Sequence, residues 1–193
     1  MDAIVFIFNH PQLFEAIKKY ADVYKVVIIN KTDSCDRQEL KTVFDEIIEV
    51  GDIHNNYEMD QAIACITNKR KVKAIYAFHE YTIEIAGRLR SKFDIPGMTE
   101  EETLKVRNKA LMKTVMKQNG IRTADFTVVN TLWGRLCFLA KLNKPMIVKP
   151  IDGAATKHTY KINGYQDIFK YKTLRGMFRH KTFLAESFIE GEE

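Results

Sequence analysis

Apolar residues along this chain follow two patterns, and the change between them divides it. In the first half, mostly apolar runs at about 3–8, 24–29, 45–50 and 72–78 alternate with segments whose apolar positions recur every three or four residues, at about 12–20, 36–43, 57–69 and 80–93. A strand that is apolar on both faces needs a cover on both, and the helical segments supply it, so the pattern predicts a parallel sheet between helices. Pro11 stands where a first helical turn accepts proline, and Leu13, Ile17 and Tyr20 fall on one face of the helix it opens. The connector 93–98 then leads into Thr99-Glu100-Glu101-Glu102, whose Thr-x-x-Glu spacing is that of a capping box. Asn108 is placed to cap a further helix that closes at Asn119-Gly120. Beyond it, strands at about 125–129, 145–149, 158–162 and 182–189 surround helices near 131–142 and 165–171, which predicts a separate, smaller α+β lobe. There is no internal repeat and no low-complexity tract.

Composition narrows the function classes. Apolar residues at 46% and charged residues at 28% are those of a folded globular chain. No apolar run approaches the ~20 residues of a membrane span, and the first strand follows an acidic rather than a basic residue, so neither anchor nor signal peptide is expected. Cys35, Cys65 and Cys137 lie far apart without a Cys-x-x-Cys pair, the usage of reduced structural thiols in a cytoplasmic protein rather than of a metal site or disulfide framework. The net charge of +5 is concentrated: residues 141–181 hold ten Lys/Arg against Asp152 and Asp167. Such a strip suits a polyphosphate, an RNA backbone or an acidic lobe, or is simply a solvated face. Aromatic and basic residues interleave only at Phe169-Lys170-Tyr171-Lys172, so nucleic acid is not an expected partner.

The chemistry-bearing residues fall at strand and helix ends. A parallel sheet presents ligands to the carboxyl ends of its strands, which points Asn9-His10 and His79-Glu80 toward one rim, with Glu80 the better placed to face a ligand. No G-x-G-x-x-G follows the first strand, which argues against a nicotinamide or flavin. Lys109 opens a helix, where the macrodipole adds to its charge, and Lys149 ends a strand, where the sheet fixes it. The loop 152–156 brings Gly153, free in its dihedrals, and the hydroxyl of Thr156 to a place where a backbone can fold over an anion. The last strand runs into Glu186-Ser187-Phe188-Ile189-Glu190-Gly191-Glu192-Glu193. There Phe183, Phe188 and Ile189 can wall a planar ring while Glu186 accepts from an amine on its edge.

In this order and spacing these residues resemble the ATP-grasp superfamily, in its carbamoyl-phosphate-synthase-like, carboxylate–amine ligase branch. The resemblance implies a Rossmann-like, parallel-sheet pre-ATP-grasp domain over 1–96, then the small α+β nucleotide-binding lobe over 97–193, truncated before the second lobe. It implies that Lys109 and Lys149 contact the phosphates of ATP together with the Gly153–Thr156 loop, and that Glu186 meets the adenine amine. Ser187 and Ile189 would present main-chain groups to the ring and Glu193 would hold the ribose. Two departures stand out: Asn108 replaces the middle residue of the usual Arg-Asp-Lys, and Ala154-Ala155-Thr156-Lys157-His158 stands where the family has a more glycine-rich Ser-x-Gly stretch. The implied activity joins a small carboxylate to an amine through an acyl phosphate, converting ATP to ADP and phosphate with Mg2+. The metal ligands are expected beyond residue 193, so no catalytic or metal-binding residue is assigned and the chain alone is expected to be inactive. The alternative is a non-catalytic nucleotide-binding or interaction module, with self-association or a complementing C-terminal chain as its partner.

Overall fold

The computed structural model describes residues 1–7, 11–130, 132–141, 144–151, 158–170 and 182–191. They form two compact units, Met1–Leu104 and Lys105–Glu193.

In the first unit, β1 (Ala3–Ile7), β2 (Tyr24–Asn30), β3 (Glu46–Val50) and β4 (Val72–Ala77) form a sheet in the order β3-β2-β1-β4. All three pairings are parallel, with Val5 beside Val26 and Phe6 beside Val27. Alternation along the strands sends Val5, Ile7, Val26 and Ile28 into one core with α3 (Asn56–Thr67) and α4 (Glu80–Phe93). Phe6, Val27 and Ile29 enter another with α1 (Phe14–Lys18) and α2 (Arg37–Lys41). Both faces are therefore covered, as the apolar runs require. The helix expected at 12–20 starts as a 3-10 turn at Pro11–Leu13 and is helical only over Phe14–Lys18, while α4 has the expected bounds. His10 lies outside the described residues; His79 is the N-cap of α4 and Glu80 its exposed first residue.

Side chains seal the connections. The Arg37 guanidinium donates to the Cys35 carbonyl at 2.9 Å and pairs with Glu49 at 2.9 Å, closing the glycine-free loop after β2. α4 ends on Asp94 in the left-handed region (φ 51°), and Arg90 donates to Met98 O at 3.2 Å and to Ile75 O, covering a carbonyl on the open side of β4. The capping box forms as expected: Thr99 Oγ1 accepts from Glu102 N at 3.2 Å and Glu102 Oε2 from Thr99 N at 2.8 Å. α5 (Glu100–Arg107) then packs on α4 where a Cβ at Gly87 would overlap the Thr103 side chain, so glycine sets the distance between the two helices.

The second unit contains α6 (Lys109–Gln118), β5 (Phe126–Val129), α7 (Leu132–Ala140), β6 (Met146–Pro150), β7 (Tyr160–Ile162), α8 (Tyr165–Lys170) and β8 (Phe183–Ser187). Its sheet runs β5-β8-β6-β7 with antiparallel pairings throughout. Val129, Phe138, Met146, Val148, Ile162, Phe183 and Ala185 make its core, with Phe138 and Phe183 edge to face at 5.9 Å. The molecule thus combines a parallel α/β unit with an antiparallel α+β unit, the fold class read from the sequence.

Candidate functional site

α6 begins where Asn108 Oδ1 accepts from Ala110 N at 3.0 Å and Leu111 N at 3.2 Å, so the asparagine does the capping work of the usual aspartate. Lys109 N donates to Ile151 O at 3.1 Å, tying the helix start to the end of β6. The helix closes with Gly120 at φ 73° and Ile121 N donating to Met116 O at 2.9 Å. Fixed at both ends, α6 carries Lys109 and Lys113 one turn apart on one face.

The sheet provides the other half of the site. Ile147 of β6 pairs with Glu186 of β8, so Lys149, two residues on, shares a face with Glu186 as its diagonal neighbour. Lys149 Nζ lies 2.5 Å from Glu186 Oε1 and Lys113 Nζ lies 3.0 Å from Oε2. The Lys113 contact is close enough for charge attraction but off the hydrogen-bond direction, so the buried Oε2 retains an acceptor site without a hydrogen-bond partner. Side-chain exposures are 10% for Glu186, 12% for Lys113 and 23% for Lys149, so all three sit in a medium where charge matters more than at the surface. Burial alone would raise the Glu186 pKa; the hydrogen bond from Lys149 and the close positive charges of Lys149 and Lys113 outweigh it and hold the carboxyl below the usual range.

A cavity of about 520 Å³ opens over this cluster, lined by Lys109, Lys113, Lys149, Glu186, Ser187 and Ile189 among others, a volume suited to a small organic ligand. Five residues singled out from the sequence, Lys109, Lys149, Glu186, Ser187 and Ile189, therefore converge, whereas Gly153, Thr156 and Glu193 lie outside the described residues. Ser187 N is already engaged with Asp125 O at 2.8 Å, so the main-chain group it can offer a ring is its carbonyl. Phe183 does not wall the cavity as expected: the two-residue period of β8 turns it into the opposite core, fully buried. Phe188 does line the cavity, with Lys161 Nζ 3.5 Å from its ring centroid. Lys113 and Thr159 also line it and were not singled out; the four-residue spacing from Lys109 was the signal for Lys113. Among the described residues no group of His, Cys, Asp and Glu is arranged to hold a metal ion, and no helix is long and apolar enough to cross a membrane.

No family model matches the chain. It is 31% identical over 189 residues to an L-arginine-specific L-amino acid ligase of Bacillus subtilis, a match covering 94% of this chain and 45% of that protein. Its fold matches the crystal structure of an L-amino acid ligase from Bacillus licheniformis with a TM-score of 0.78 at 16% identity, over 99% of this chain and 45% of the other. The biotin carboxylase domain of the Hydrogenobacter thermophilus 2-oxoglutarate carboxylase, solved with MgADP, ADP and bicarbonate, matches with a TM-score of 0.73 at 18% identity, over 98% and 45% of the two chains. The chain thus spans a little under half the length of the relatives it matches. With a parallel α/β unit followed by an antiparallel unit, the chain has the fold of part of these enzymes and is similar in sequence to an ATP-grasp carboxylate–amine ligase.

Proposed function

We propose that this chain carries the nucleotide-binding part of an ADP-forming carboxylate–amine ligase acting in the cytoplasm, with the pre-ATP-grasp domain over 1–96 and the small nucleotide lobe over 97–193. The observation that carries this reading is the convergence of Lys109, Lys113 and Lys149 on a cavity of about 520 Å³ beside a buried glutamate that retains an acceptor site. Fixed cations from a helix start and a strand end suit a polyphosphate, and an apolar lining with Ile147 and Ile189 suits a purine. In this reading Lys109 and Lys149 take the phosphates with Gly153 and Thr156. Glu186 Oε2 accepts from the adenine amine, Ser187 and Ile189 face the ring edge through the main chain, and Glu193 takes the ribose.

ATP supplies the phosphoryl group that activates a carboxylate, and Mg2+ would neutralise its charge during transfer. The chain's own residues bind, orient and screen: the lysines neutralise phosphate charge, and α6 and β6 fix the backbone positions from which they reach it. The 31% identical ligase makes amino acids the substrate class to test, as both carboxylate and amine. A ligase containing this chain, supplied with ATP and paired L-amino acids, is expected to release ADP and phosphate. Release of AMP and pyrophosphate would reject the acyl-phosphate route.

A further inference from the structure

We propose that Lys113 is the standing counter-ion of Glu186 and a positioning residue of the cavity: it holds the carboxylate ionised and aimed while Lys149 leaves Glu186 for an anionic ligand. The proposal rests on the nucleotide-site reading only for the identity of that ligand. Its basis is one carboxylate shared between two lysines that differ in their setting. Lys113 comes from the second turn of a helix secured at both ends, is 12% exposed, and meets Oε2 at 3.0 Å. Lys149 stands at the end of β6, is 23% exposed, and meets Oε1 at 2.5 Å.

Lys149 cannot serve a phosphate and Glu186 fully at once. If it moved with no second cation in place, a carboxylate 10% exposed would lose its compensation, which in such surroundings forces protonation. A protonated Glu186 could donate through one oxygen and would no longer present two acceptors to a ligand. Lys113 removes that conflict, because its ion pair lies on the other oxygen and on a different element. Other groups around Glu186 do not replace it. α6 adds Lys109 at the cavity wall, β5 sets the uncharged Phe126 opposite Glu186, and the nearby Asp125 is paired with Lys117 at 3.0 Å.

The test is a carboxyl-carbon NMR titration of Glu186 in the unsubstituted chain, in Lys149→Ala, in Lys113→Met and in the double variant. Removing Lys149 imitates its departure without needing any ligand. Glu186 is expected to titrate at or below the ordinary glutamate range, about 4.3, in Lys149→Ala, and at least about one pH unit higher in the double variant. Lys113→Arg in the Lys149→Ala background should restore the low value, and Lys113→Gln serves if the methionine variant does not fold. If Lys149→Ala alone raises Glu186 as far as the double variant does, the counter-ion role is overturned. A second arm uses ADP near pH 5: Lys113→Met should take up more protons on binding than the unsubstituted chain does at the same pH, and equal uptake by the two would overturn the role. Absence of ADP binding to the unsubstituted chain would count against the nucleotide site, while the ligand-free titrations would still decide the role of Lys113.

Discussion

Asp60 shows how one side chain organises the surface of the α/β unit. Its carboxylate oxygens meet Arg88 Nη1 and Lys92 Nζ at 2.7 Å each, joining α3 to α4, and Asp60 and Arg88 are only 18% and 19% exposed. Burial pushes the Asp60 pKa up, but hydrogen bonds from Lys92 and Arg88 outweigh it, so the folded value lies below the unfolded one. A carboxylate held down in the folded state contributes stability that is present above its unfolded pKa, near 4, and is lost as pH falls through the folded value. Glu186 has the same sign. Replacing Asp60 with Asn is expected to lower unfolding stability by about 1–3 kcal/mol at pH 7 and to have much less effect at pH 2.5. Urea denaturation at the two pH values measures this; an equal loss at both would assign the effect to packing rather than charge.

Local chemistry explains which elements were legible in the sequence. The capping box at Thr99–Glu102 and the Asn108 cap depend on residues two or three apart, so their spacing alone predicts the bonds that form. The phase of β8 was not legible in the same way. Phe183 and Phe188 look alike in sequence, and only the pairing with β5 and β6 turns the first into the core and leaves the second at the cavity. The α4–α5 contact gives a further prediction at this scale. Alanine in place of a helix-interior glycine ordinarily stabilises by up to about 1 kcal/mol. At Gly87 the added methyl would meet Thr103 and approach Thr99 O to 3.1 Å, so Gly87→Ala is expected instead to destabilise by about 1–3 kcal/mol. A thermal melt that rises rather than falls would show that the helices can separate freely.

At the scale of the whole molecule, the fold was legible because each unit repeats its own hydrophobic period several times. The site was legible only in part. Lys109 and Lys149 stood out because helix starts and strand ends are where fixed cations serve anions, yet the order β5-β8-β6-β7 is what brings β8 beside β6 and Glu186 to Lys149. Lys113 gains its meaning only through that sheet order, since nothing near it in sequence identifies an acidic partner. The basic surplus over 141–181 likewise separates in structure: Lys149 belongs to the cavity, whereas Lys144 is exposed away from its lining. That contrast permits a direct test of whether the cavity between α6, β6 and β8 is where nucleotide binds. Calorimetric titration with ATP is expected to show Lys149→Ala weakening binding by about 10–100-fold and Lys144→Ala by less than about twofold. Equal losses from the two substitutions would mean that the basic strip attracts nucleotide diffusely, and would contradict the site.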